Sequence, residues 1–207
     1  MIHLRGLSRR PETWCMLGTI IVLGLLPRSI PHAVSVPHGG GGLAFLAALL
    51  GSGLCMSQAS AWPMNTVGGR ASLVLRHFVA CLVGTFLFSG VAILSSWPAH
   101  GEPIGCHISF IWAANCLQLA SLATLILQLG FSRELRSICL VLLAWAIPTI
   151  IPPDEWLGSA LHAVFGAARR AVLDPSLTWS AWGLMIAPIV VLLGSALFIA
   201  ELKRPRT

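Results

Sequence analysis

The residues that could do chemistry in this chain are its histidines, its cysteines and a few amides and hydroxyls set into apolar runs. The six cysteines, Cys15, Cys55, Cys81, Cys106, Cys116 and Cys139, show neither a CxxC pair nor zinc-type spacing. Most fall inside apolar runs, where cysteine behaves as a small hydrophobe. No HExxH and no Ser/His constellation occurs. Of the seven histidines, five (His32, His38, His100, His107 and His162) fall in or beside segments expected on one side of a membrane. Neutral imidazole is a common metal and haem ligand. The spacing of these five matches no ligand motif, and scattered surface histidines are the better account of them. His77 stands beside Arg76 at the start of an apolar run, which reads as an interfacial position. The GGGG at 39–42 is followed by Leu-Ala-Phe rather than Lys-Ser/Thr, so it is expected as a flexible loop and not as a phosphate-binding one.

The remaining candidates are polar but uncharged. Ser57, Gln58, Asn115, Gln118 and Gln128 lie within apolar runs, whereas every Asp, Glu and Arg lies at or beyond the end of one. Intramembrane charges mark proton relays and ion paths. Their absence weighs against an ion-coupled transporter and against most intramembrane hydrolases. Asn115, Gln118 and Ser121 recur at helical spacing, so they are candidates for a translocation path. Interhelical hydrogen bonding is the alternative for the same residues.

The apolar runs that carry these residues dictate the class. Of the 207 residues, 56% are hydrophobic and only 10% charged, with a mean hydropathy of +0.84. Ordinary globular domains carry about 25% charged residues. The expected class is therefore all-α and polytopic, with the lipid bilayer as its solvent. A spanning helix needs about 20 apolar residues. Six runs qualify, at 14–30, 43–61, 72–96, 108–130, 135–151 and 178–200. The first is interrupted by Pro27 and Arg28; Arg28 can snorkel at a helix end. A signal peptide with Arg9 and Arg10 as its basic head is the other reading of that run, although no small-residue cleavage pattern follows it.

The net charge of +6 does not form a nucleic-acid stripe, because the basic residues stand singly or in pairs between apolar runs. They also orient the chain. With the N-terminus inside, Arg5, Arg9, Arg10, Arg70, Arg76, Arg133, Arg136, Lys203, Arg204 and Arg206 are cytoplasmic, and only Arg28, Arg169 and Arg170 lie outside. That ten-to-three bias places both termini in the cytoplasm. The chain then divides into a cytoplasmic amphipathic segment (1–13), a six-helix transmembrane domain (14–200) and a cytoplasmic tail (201–207). Trp97, Trp156, Trp179 and Trp182 near the outer boundary, with Trp14 and Trp62 near the inner, form the expected aromatic belts.

Two connections stand out. The segment 153–177 opens with prolines and Asp154 and closes at Asp174-Pro175. Leu157, Leu161, Val164, Phe165, Ala168 and Val172 share one helical stripe, opposite Glu155, Ser159, His162, Arg169 and Arg170. It is too polar to span, and is expected as one or two amphipathic helices at the outer surface. The cytoplasmic segment 61–76 opens with Trp62-Pro63 and bends at Gly68-Gly69.

This layout resembles the membrane subunits of ABC exporters of the ABC-2 permease type. The resemblance is carried by SQASAWPMNTVGGRASLVLRH as the coupling region, PPDEWLGSALHAVFGAARRAVLDP as the outer helices, and IHLRGLSRRPETW as the amphipathic N-terminal piece. Ser57, Gln58 and Ser60 stand where many relatives carry an acidic stretch. The resemblance implies a bacterial cytoplasmic-membrane exporter subunit with no cofactor or catalytic site of its own. ATP would be bound by a partner ABC subunit, and a second permease subunit would complete the path. It further implies that Trp62, Met64, Asn65 and Arg70 contact the ATPase. The short chain and its outer histidines are also similar to the haem-exporter permease of cytochrome-c maturation. A membrane scaffold or assembly protein, or a lipid-modifying enzyme with a dispersed site, is the competing class.

The topology is directly testable. Single cysteines introduced into 32–42 and into 155–172 should react with a membrane-impermeant reagent applied from outside. Reaction of either segment from the cytoplasmic side alone would overturn the orientation.

Overall fold

The computed structural model describes residues 11–29, 39–59, 69–96, 106–146, 150–151, 156–164 and 181–203. Every element among them is helical, in agreement with the all-α expectation: α1 (Pro11–Ser29), α2 (Gly39–Ala59), α3 (Gly69–Ser96), α4 (Cys106–Leu129), α5 (Arg133–Val141), a π-helical stretch (Leu142–Ala146), α6 (Trp156–Val164) and α7 (Ala181–Leu202). Five of the six apolar runs become single helices with ends within a few residues of those expected. Two of them, over Gly69–Ser95 and Trp112–Leu129, are long and apolar enough to cross a membrane.

The fifth run differs. It begins as α5, capped by Ser132, whose hydroxyl accepts from the Leu135 N–H at 3.4 Å. At Leu142 the backbone widens to π geometry. Pro148 follows in the sequence and has no N–H to offer the Ala144 carbonyl, so a plain α-helical ladder could not have continued through it. Leu140 and Ala144, four residues apart, keep one face buried across the change of register.

The helices pack on a scaffold of small residues. α2 makes its most extensive contact with α3. At their crossing the backbones nearly touch: a Cβ on Gly51 would stand 2.4 Å from the Gly84 carbonyl oxygen. One on Gly84 would stand 2.5 Å from Cys55 Sγ and 2.9 Å from the Gly51 oxygen. Glycine is required at both positions because no side chain fits between the helices. α4 lies on this pair. Its Leu119, Ala120, Leu122, Ala123 and Ile126 join Phe45, Ala48, Leu49, Cys55, Met56 and Cys81 in the main core, which Leu140, Ala144 and Leu192 complete from α5, the π stretch and α7. A second cluster ties α1 to the bundle through Ile20, against Ala44, Ala47, Phe88 and Ala92.

Burial separates the two long helices. The apolar window of α4 is 67% buried and that of α3 only 33%. α4 is thus the inner helix, while α3 turns Leu75, Val79, Leu87 and Leu94 outward. α7 likewise exposes Ile186, Val190, Val191, Leu197 and Phe198. Large exposed apolar faces of this kind are foreign to a water-facing monomer.

Replacing Gly84 by Ala should destabilise the bundle by about 1–3 kcal/mol, the usual cost of overpacking a tight contact. Gly53→Ala, where nothing lies within 4 Å of the added Cβ, should be neutral or stabilising. Thermal unfolding of the two variants in matched detergent checks the contrast. Equal stability of both would contradict the close crossing.

Candidate functional site

The polar residues of α4 form one inward series. Asn115, Gln118, Ser121, Thr124 and Gln128 are all buried, at spacings of three or four residues. The two hydroxyls fold back on their own helix: Ser121 donates to the Leu117 carbonyl and Thr124 to the Ala120 carbonyl, each at 2.7 Å. Back-bonding of this kind lets a hydroxyl sit in an apolar interior without a second helix. The amides reach further. The Gln118 Nε2 donates to the Val164 carbonyl of α6, and the Gln128 Nε2 donates to His77 Nδ1 of α3 at 3.2 Å. An amide nitrogen is a donor only, so Nδ1 accepts and the imidazole proton sits on Nε2. Asn115 is 1% exposed, and its Oδ1 receives no hydrogen bond.

His77, expected at an interfacial position, is packed inside the bundle. α3 begins at Gly69, eight residues earlier, which carries His77 two turns into the helix and buries it against α4. The sequence marked the start of hydrophobicity near Ser72, whereas the helix starts at Gly69, whose φ is +75°.

Gln128, Lys203 and Arg70 close the same end of the bundle. Gly130 ends α4 in the left-handed region (φ +80°). The Lys203 Nζ donates to the Gln128 carbonyl in the last turn of α4. Arg70 Nη1 donates to the Ala200 carbonyl near the end of α7 at 2.8 Å. The Arg136 Nε donates to the Phe131 carbonyl at 2.8 Å, securing the turn into α5. Cations at helix C-termini satisfy orphan carbonyls and complement the helix dipole.

A second polar knot joins α3 to α4 nearer the other end. Thr85 donates to Leu82 O at 2.7 Å and lies 3.1 Å from Cys81 O. Ser89 donates to Thr85 O at 2.5 Å. It also stands 3.3 Å from Cys116 Sγ and accepts the Trp112 Nε1–H at 2.7 Å. Trp112 meets Phe86 edge-on at 5.0 Å between centroids. Sequence reading assigned no role to Thr85, Ser89 or Trp112; an i, i+4 pair of hydroxyls facing a tryptophan was the available signal.

Of the seven candidate residues, the structure gathers Asn115, Gln118 and Ser121 on one buried helix. Trp62, Met64 and Asn65 fall outside the described residues, and Arg70 alone of that group is described, tied to α7. The side chains of all five outer histidines and the far half of 153–177 also fall outside them. Among the described residues no group of three or more His, Cys, Asp or Glu could hold a metal ion. No protein-family model matches the chain, and neither a curated protein nor a solved structure matches it.

The Trp112–Ser89 bond should couple the two side chains. In a double-mutant cycle of Ser89→Ala and Trp112→Phe, the single Ser89 change, which strands a half-buried indole N–H, should cost about 1–3 kcal/mol. The double variant should lose less than the sum of the singles. Strict additivity in thermal or denaturant unfolding would show that the bond carries no energy.

Proposed function

We propose that this chain is a six-span integral membrane protein and the permease subunit of an ABC exporter, lining a translocation path and driven by a separate ATPase. The observation that carries the reading is the buried polar series on α4, in which one acceptor, Asn115 Oδ1, is left without a donor. A buried polar atom without a partner costs stability and so calls for an explanation beyond packing. A path that receives a passing polar group supplies one. The outward apolar faces of α3 and α7 fit lipid contact, and the uncharged interior fits a chain that needs an external energy source. The basic residues gathered where α3 starts and α4 and α7 end fit a cytoplasmic face. Two copies would pair to form a path wide enough for cargo, in a bacterial cytoplasmic membrane.

A second reading is a membrane scaffold without a path. It is favoured by the way Ser121, Thr124, Gln118 and Gln128 all find bonds within the chain. The two readings part at the ATPase. On the permease reading Trp62 and Met64 anchor a cytoplasmic contact rimmed by Arg70, in the manner of interface hot spots. The protein should then co-purify with an ATPase and stimulate ATP hydrolysis. Trp62→Ala with Met64→Ala should abolish both while leaving the protein folded in the membrane. Absence of any ATPase partner from the wild-type protein would favour the scaffold.

A further inference from the structure

α6 packs against the bundle through Val164 of its apolar stripe, as its amphipathic pattern predicts. Its Val164 carbonyl accepts a hydrogen bond from Gln118, and the Val164 side chain packs against the main core. Gln118 is close to midway along α4, which runs from Cys106 to Leu129. At 1.5 Å rise per residue it lies about 16–18 Å from either end. α5 returns the chain toward the Cys106 end, so α6 enters from that end. It runs from Trp156, 82% exposed, to a last turn held near mid-height. Among its described residues Ser159 and Ala160 are exposed and Gly158 is buried, and α6 also contacts α7.

Asn115 sits one turn nearer the mouth, on the face of α4 that Gln118 shares by its three-residue spacing. Gln118 Nε2 can donate toward this face and Asn115 Oδ1 can accept from it. One N–H of Gln118 is bound to α6. The acceptor is 99% buried and unspent. We propose that α6 is a plug seated on a ligand subsite, and that this subsite takes the polar end of a neutral amphipathic molecule bearing a hydroxyl group. The ligand hydroxyl donates to Asn115 Oδ1 and accepts from Gln118 Nε2, displacing the Val164 carbonyl that stands in for it in the closed state. A neutral group is selected because, among the described residues, no carboxylate, arginine or lysine is buried beside the pair, and an unpaired charge there would be strongly penalised. Leu119, Leu122 and Val164 supply an apolar wall for the rest of the molecule. The proposal needs no ATPase, so loss of the exporter reading would leave it standing, and its own failure would leave that reading intact.

The test is hydrogen exchange on the full chain in lipid nanodiscs, followed over 156–164 with α3 as the internal reference. Gln118→Leu should speed exchange in 156–164 about tenfold, the size expected for loss of one interior hydrogen bond, while α3 is unchanged. Adding dioctanoylglycerol, a neutral hydroxyl-bearing amphiphile, should produce a similar rise in the wild type and none in Asn115→Leu; Asn115→Ala replaces that variant should it fail to fold. Dioctanoyl phosphatidic acid, which adds charge to the same skeleton, should have no effect. Unchanged exchange in Gln118→Leu would overturn the plug. A response to dioctanoylglycerol that survives in both Asn115 variants, or is matched by the phosphatidic acid, would overturn the subsite.

Discussion

The crossing of α2 and α3 at Gly51 and Gly84 is the contact on which the rest of the bundle depends. With carbonyl oxygen and Cα in near contact, the two helices present a single surface to α4. Between apolar helices in lipid there is little hydrophobic drive to associate, and close backbone approach supplies dispersion contacts that larger residues would block. Cys55 and Cys81 belong to this arrangement as small apolar fillers. Cys55 Sγ occupies the space beside Gly84, and both thiols are buried in the core with Met56 and Leu119. Any chemistry the cysteines could offer is subordinate to that packing.

Seating α4 on this surface brings its polar residues inside, and the fold gives all but the Asn115 Oδ1 atom a neutral partner. Hydroxyls bond to their own helix, and amides reach across to His77 or to α6. Among the described residues, Arg70 and Lys203 bind the terminal carbonyls of α7 and α4 at one end. The placement has a physical cause. A neutral donor can be satisfied by one hydrogen bond, while a buried cation needs a counter-charge, and the described helical acids Glu12, Glu134 and Glu201 stand at helix ends.

Against that near-complete satisfaction, the Asn115 and Gln118 pair stands out. Gln118 binds a carbonyl of the short helix α6, and Asn115 Oδ1 receives no hydrogen bond. A functional site in a tightly packed bundle is expected where packing is least self-sufficient, and low local contact density is what allows an element to move. The same pair that would line a path on the proposed permease reading is where α4 holds α6.

Much of this was legible in the residues alone. Helical class, the limits of most helices, the inward spacing of Asn115, Gln118 and Ser121, and the exclusion of charge from apolar runs all follow from local pattern, because hydrophobic length and 3.6-residue periodicity are properties of a single segment. What only the tertiary structure decided concerns relations between segments. That Gly51 faces Gly84 rather than Gly53 doing so, that His77 is buried against Gln128, and that Ser89 receives the Trp112 N–H depend on rotation and crossing angle, which no one helix encodes. The depth of α6 is the clearest case. Its amphipathic stripe says that one face is buried, and the same stripe would suit a membrane surface or a bundle interior equally. Only the bond from Gln118, contributed by a helix 46 residues away in the chain, sets it at mid-height.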